Sequence, residues 1–273
     1  MSLNAVSARL GSFVMAEGEE FETPGVEDFW WPLIGGDSHW TFTRPSLVAL
    51  LSVVVIAGFF ILVARNLSVV PGRLQFIGEG IYGFVRDTIG RDVIGSKDFK
   101  PFVPLLFTIF TFILVNNIAG IFPLVQFPTM SRIAFPIVLT LIVYVVYNIV
   151  ALQRKHGLFG YLKSLVPPGL PVWLIPLMFV LEFLTYFVIR PVTLALRLFG
   201  NMLAGHLMLL LFIIGGEFLL FHGDNIFLQA SGVFSLLFSI VMTFFELLIQ
   251  VLQAFIFTML AALYISDAVS EEH

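Results

Sequence analysis

Long apolar runs, interrupted by short charged stretches, organise this chain. Ser46 to Ala64 carries no charged residue and is bracketed by Arg44 and Arg65. At about 1.5 Å per residue it is just long enough for a roughly 30 Å hydrocarbon core. Pro101 to Ser131 is again uncharged and predicts a second span over about 102–122. A third covers about 133–153 and ends at Arg154, Lys155, His156 and Gly157. The last two hydrophobic segments, about 172–221 and 226–265, are far longer than one perpendicular crossing needs. Nothing polar and rich in Gly or Pro breaks 226–265, so a strongly tilted hairpin fits better than two stacked spans. Gly215, Gly216, Gly223, Asp224 and Asn225 mark its expected turn.

Two segments break the pattern. Between Pro71 and about residue 95, apolar Leu74, Ile77, Ile81, Phe84, Val85 and Ile89 are interleaved with Arg73, Glu79, Arg86, Asp87 and Arg91. That is the pattern of an amphipathic helix, read as lying in the interface plane. Residues 1–45 form a polar leader with an acidic cluster of Glu17, Glu19, Glu20, Glu22, Glu27 and Asp28. Phe29, Trp30, Trp31 and Trp40 fall where an interfacial aromatic belt is expected; plain packing of those rings fits equally well. The expected fold is therefore an all-α integral membrane protein. It has five membrane helices and one interfacial helix, with the leader at 1–45 and the membrane domain at 46–273.

Composition sharpens this class. The chain is 59% hydrophobic and 12% charged, with mean hydropathy +1.00; soluble domains carry about 25% charged residues. No cysteine is present, which excludes disulfides and thiolate metal sites. A net charge of −4 argues against a nucleic-acid partner. No metal site, cofactor site or phosphate-binding G-x-x-x-x-G-K-[ST] loop is found. Neither a signal peptide nor a transit peptide is evident, which points to a bacterial plasma membrane.

Lysine and arginine placement gives an orientation. Arg65, Arg73, Arg86, Arg91, Lys97 and Lys100 follow the first span, and Arg154, Lys155 and Lys163 follow the third. The loop between spans two and three has only Arg132, and the hairpin turn has no Lys or Arg. The positive-inside rule places the leader outside and the C-terminus in the cytoplasm.

The candidate chemistry lies on the two long segments. Glu182, Tyr186, Arg190, Thr193, Arg197 and Asn201 are spaced by 4, 4, 3, 4 and 4 residues. On the last helix Ser235, Ser239, Thr243, Glu246, Gln250 and Gln253 are spaced by 4, 4, 3, 4 and 3. Each set makes one polar stripe on a helix. Ser, Thr and Gln in such stripes commonly serve as glue between membrane helices. The ionisable members cost more: an arginine at mid-bilayer costs roughly 2.5–3.5 kcal/mol on the lenient insertion scale. Arg190 precedes Pro191 and can snorkel toward the inner face. His206 lies nine residues beyond Arg197, on the opposite side of an ideal helix. A hydrogen-bonded packing histidine is one reading of His206; histidine changes charge near neutral pH, and Glu246 on the next helix favours the other, a proton relay.

The stretch Arg197-Leu198-Phe199-Gly200-Asn201 and the stretch Gln253-Ala254-Phe255 resemble subunit a of the rotary F-type ATP synthase. So do Val70-Pro71-Gly72 opening the amphipathic segment, Pro104-Leu105 with Asn117 and Pro123, and the terminal Ser270-Glu271-Glu272-His273. The resemblance covers most of the chain from Val70 onward, but not residues 1–45. It implies a non-catalytic stator subunit that carries protons to and from a ring of hairpin subunits, the c-ring. Its other partners would be the subunit b stalk and, through the complex, the F1 ATPase head. By resemblance, Arg197 is the stator arginine and Gln253 sits near it. His206, Glu246 and Asn117 would line the outer half-channel and Glu182 the inner one, and Asn201 in the same motif counts with them for proton translocation. From their place in the polar stripes, Arg190, Gln250 and Thr193 are further candidates. Some bacterial members carry an acid at the position of His206 and a histidine at that of Glu246; here the pair is exchanged. Gly120 stands where some relatives have an acid, so no ion-path role is carried to it.

Two other classes fit a polytopic chain with buried charges. A stand-alone secondary transporter or proton channel would use the same Arg and His/Glu relay, yet such proteins often contain internal repeats and none is visible. A structural membrane anchor leaves Arg197 and Glu246 unexplained.

Overall fold

The computed structural model describes residues 32–34, 42–65, 68–122, 129–155, 157–166, 171, 173–223 and 225–270. The acidic cluster and aromatic belt expected before residue 32, and Trp40, lie outside them. Within the expected leader, Pro32–Ile34 (β1) and Phe42–Thr43 (β2) form a short antiparallel pair. All other regular structure among the described residues is helical.

Helix α1 (Arg44–Arg65) is the first span. Helix α2 (Arg73–Gly83) continues without a break into a π-helical stretch, Phe84–Ile94. A 3-10 turn at Lys100–Phe102 leads into α3 (Val103–Ile121), with Pro101 and Pro104 at first-turn positions, where a missing N–H costs nothing. Helix α4 (Ala134–Arg154) and the short α5 (Leu158–Ser164) follow. Helix α6 (Ile175–Leu184) passes through a π-turn, Thr185–Ile189, into α7 (Arg190–His222), and α8 (Ile226–Val269) closes the chain. Among the described residues five helical stretches are long and apolar enough to cross a membrane: 45–65, 100–121, 134–154, 175–222 and 226–269. The number matches the expectation, and α8 runs four residues further than the hydrophobic pattern suggested.

The 44 residues of α8 reach about 66 Å at about 1.5 Å per residue. That is about twice the hydrocarbon thickness, so the helix fits a bilayer only if strongly tilted. Helix α7 pairs along it more extensively than any other two elements pair.

Two expectations change. Gly215 and Gly216 are not turn residues but lie inside α7. Gly216 is buried at a close crossing of the hairpin: a Cβ on Gly232 would come within 2.6 Å of Leu220 N and 2.8 Å of Gly216 O. The glycines let the two backbones touch, as small residues do in membrane bundles. The amphipathic segment also divides in two. Leu74, Phe76 and Ile77 are exposed, whereas Val85 and Ile89 are fully buried in the core. The buried Val85, Ile89 and Ile94 are 4 and 5 residues apart, wider than an α-helical repeat and suited to the longer i→i+5 turn. That half packs against α3 and α8 and is a wall of the bundle. Its outer side stays charged: the Arg86 guanidinium beside Asp87, at 2.8 Å, holds the Asp87 carboxyl below the usual carboxylate range.

The core lies between α3, α4, the π-helical wall, the first turns of α7 and the last third of α8. Small residues there, Ala254, Ala261 and Ala262, are fully buried beside Phe257 and Ile265. The first half of α8, by contrast, shows Phe234, Leu237, Ile240, Val241, Phe244 and Phe245 on its surface.

Candidate functional site

The two polar stripes do not face each other. The stripe on α8 turns into the bundle: Ser239, Glu246, Gln250 and Gln253 are all buried. The stripe on α7 turns outward, with Thr193, Arg197 and Asn201 exposed while Leu194, Ala195 and Leu198 are buried behind them. Arg197 has neither a hydrogen bond nor an ion pair among the described residues. A guanidinium on the outer surface of an apolar helix is costly, and this one has no carboxylate within the described residues to offset that cost.

One contact links the stripes. Asn201 Nδ2 donates to Gln253 Oε1 at 2.5 Å. Gln253 therefore engages Asn201, one turn beyond Arg197, and not Arg197 itself. Its own amide nitrogen is buried and makes no hydrogen bond to the described protein.

Behind this surface a buried polar cluster joins α3, α7 and α8. Glu246 Oε1 accepts from Gln250 Nε2 at 2.9 Å and lies 3.9 Å from His206 Nδ1. Asn117 Nδ2 donates to the Gln250 carbonyl at 3.1 Å. His206 and Glu246 are each about nine-tenths or more buried. The absence of a side chain at Gly205 makes room for the carboxylate: a Cβ there would lie 3.3 Å from Glu246 Oε1. Among the described residues, Glu246 Oε2, Gln250 Oε1 and Asn117 Oδ1 are buried with no hydrogen-bond partner. Buried polar atoms are rarely left unpaired, and water is the usual remedy. Asn116, beside Asn117, points elsewhere and donates to Ser52 Oγ on α1 at 2.8 Å. Ser235 ties the hairpin by donating to the Phe212 carbonyl, while Ser239 and Thr243 bond back to their own helix.

At the far end of α7 the stripe is interrupted. The π-turn Thr185–Ile189 holds the Arg190 N–H on the Thr185 carbonyl, five residues back. Pro191 supplies the cause, since it has no N–H to give and its ring crowds the carbonyl four residues before it. The extra residue in the turn removes Glu182 from the regular register that the 4, 4, 3 spacing implied. Glu182 is half-buried and has no hydrogen bond or ion pair among the described residues. Arg190 does not snorkel freely. Its Nη2 pairs with Asp267 Oδ2 at 2.9 Å, and its guanidinium stacks over Tyr186 at 3.7 Å and Tyr264 at 4.9 Å. Asp267 lies beyond the predicted end of the last span and carried no sequence signal. Lys155, just past α4, has its pKa lowered chiefly by burial; the charge of Asp267 opposes that shift and the charge of Arg190 adds to it.

The arrangement can do two separable things. It presents one fixed cation on an outer apolar face, and it holds an imidazole and a carboxylate in a buried polar cluster behind that face.

Comparison with known proteins gives a consistent picture. The family model described as ATP synthase A chain matches residues 46–266. A protein named ATP synthase subunit a from a Nocardioides species is 46% identical over 270 residues, covering 94% of this chain and 96% of that one. Its namesake from Pseudarthrobacter chlorophenolicus is 44% identical over 250 residues, covering 91% and 93%. Another, from Rhodococcus erythropolis, is 36% identical over the full length of both chains.

Proposed function

The chain belongs to the ATP synthase A chain family, a multi-pass membrane component of the F-type ATP synthase, and on that premise we propose that it is the stator half of a proton turbine. Its moving partner is a ring of small hairpin subunits, each with a carboxylate at mid-membrane. The subunit b stalk holds it still, and the F1 head uses the rotation. It works in a bacterial plasma membrane with its N-terminus outside and its C-terminus in the cytoplasm.

Protons enter from outside through the buried cluster. Asn117, Gln250 and Glu246 lead to His206, and the pair Glu246–His206 passes a proton to an arriving ring carboxylate, which becomes neutral and can face lipid. After nearly a full turn the acid meets the inner half-channel, lined by Glu182, and loses its proton. The new carboxylate is then drawn to Arg197, which cannot itself lose a proton. Arg197 thus blocks a direct passage between the two half-channels, and Asn201, Gln253 and Thr193 shape the surface around it. One charge crossing 100 mV releases about 2.3 kcal/mol, so several protons must be gathered for each ATP.

The observation that supports this most is the outward Arg197 without an ion partner among the described residues, backed by the buried His206–Glu246 cluster. A transporter acting alone would turn its functional charges to an internal cavity. The test is substitution. Arg197→Ala should abolish ATP synthesis while the complex still assembles. Arg197→Lys should fail as well, because an ammonium lacks the planar fork and can deprotonate when buried. Normal synthesis with either variant overturns the assignment.

A further inference from the structure

Helix α7 carries a second arginine seven residues before Arg197. Both lie in the regular α-helical part, after the π-turn. Seven residues are close to two full turns, so the two side chains leave the same face about 10.5 Å apart along the axis. Arginine is equally cationic at both places. A mobile carboxylate passing that face would meet two similar cations, and a second resting place would slow it.

The surroundings of the two arginines differ sharply. Arg197 is exposed and has no ion pair among the described residues. The Arg190 side chain is only 17% exposed, bridged to Asp267 at 2.9 Å, and held between Tyr186 and Tyr264. Tyr186 is itself fixed by the Tyr147 hydroxyl, which donates to its carbonyl at 2.9 Å. Asp267 sits near the end of α8, so the bridge also joins the two ends of the long hairpin.

We propose that Asp267 is a positioning residue that neutralises Arg190 and turns it from the outer face, leaving Arg197 as the single arginine on α7 that a moving carboxylate can pair with. The inference rests on the stator reading of Arg197. It adds a requirement that such a reading does not contain: a second arginine on the face must be silenced. The tyrosines make the silencing geometric as well as electrostatic, since they stack on the guanidinium plane.

The experiment compares Asp267→Asn, Arg190→Gln and the double variant in inverted membrane vesicles that hold the whole complex. ATP-driven proton pumping, ATP synthesis and the amount of assembled complex are measured in parallel. Asp267→Asn should assemble and run about tenfold slower. Adding Arg190→Gln should restore the rate to within about threefold of the unmodified complex, because no competing cation remains. Arg190→Gln alone should also run near normally. If the double variant is as slow as Asp267→Asn, the bridge is only a structural clamp and the inference fails. If Asp267→Asn does not assemble, or runs normally, it fails too. Arg197→Ala in the same vesicles separates the two ideas. Normal synthesis there removes the stator reading itself, whereas loss there with normal Asp267→Asn removes only the role given to Asp267.

Discussion

Replacing Gly232 by alanine is a minimal perturbation with a calculable consequence. The added Cβ would sit 2.6 Å from Leu220 N, 2.8 Å from Gly216 O and 3.0 Å from Leu220 Cα. The first distance is about 0.8 Å short of the 3.4 Å at which ordinary contact begins. All three obstacles are backbone atoms, so no side chain can rotate aside and the helices must part. A gap of about 0.5–1 Å forfeits roughly a quarter to a half of the dispersion attraction between facing atoms. Overpacking of this kind costs about 1–3 kcal/mol, and with rigid atoms on both sides the upper end applies. Alanine recovers about 0.5–1 kcal/mol of helix preference over glycine. The net loss is about 2 kcal/mol, or about thirtyfold in an equilibrium constant. The control is Gly58→Ala in α1, where the new Cβ meets nothing within 4 Å. The assay is the temperature at which half of the complex loses this subunit in mild detergent. A second readout exploits the absence of native cysteine. Cysteines introduced at Phe212 and Ser235, whose groups are hydrogen-bonded across the hairpin, should form a disulfide readily in the parent and slowly when Gly232→Ala is also present. Gly232→Ala as durable as Gly58→Ala would refute the close crossing.

Two further predictions concern path and topology. His206→Ala and Glu246→Ala should each strongly slow proton flux through vesicles stripped of F1, without the leak expected from losing Arg197. The exchanged pair His206→Glu with Glu246→His should conduct better than His206→Glu alone, which sets two carboxylates together; equal flux across a pH series would dismiss the relay. Single cysteines introduced at Ser96 and Ser164 should react with an impermeant maleimide from the cytoplasmic side and one at Ser38 from the outside; labelling at positions 38 and 96 from one side would refute the orientation.

Spans and the outstanding charge were legible because both follow from solvent alone. An uncharged run such as 46–64 has few places to go but lipid, and Arg197 stands out for its cost. What escaped was set by contacts between distant segments. Asp267 follows the last apolar run, where nothing in the pattern singles it out, yet it meets Arg190 across the hairpin. Gly215 and Gly216 look like a turn by residue type, and only the approach of Gly232 to Gly216 shows that the helix continues there and packs against its partner. The π-turn before Pro191 could have been suspected from the proline, but its effect on the register of Glu182 could not. Asn116 and Asn117 are adjacent and alike. The helix they share sends one to Ser52 and the other to Gln250, a division that spacing alone leaves open.

The outward Arg197 also bears on how the subunit is made. A copy newly inserted and still solitary holds that guanidinium against acyl chains, at a cost of roughly 2.5–3.5 kcal/mol, until another protein covers it. Solitary copies are therefore strained in their own membrane, and an excess of this subunit over its partners should be short-lived. Its synthesis is best matched to theirs, and degradation of the surplus should slow when the residue is replaced by leucine.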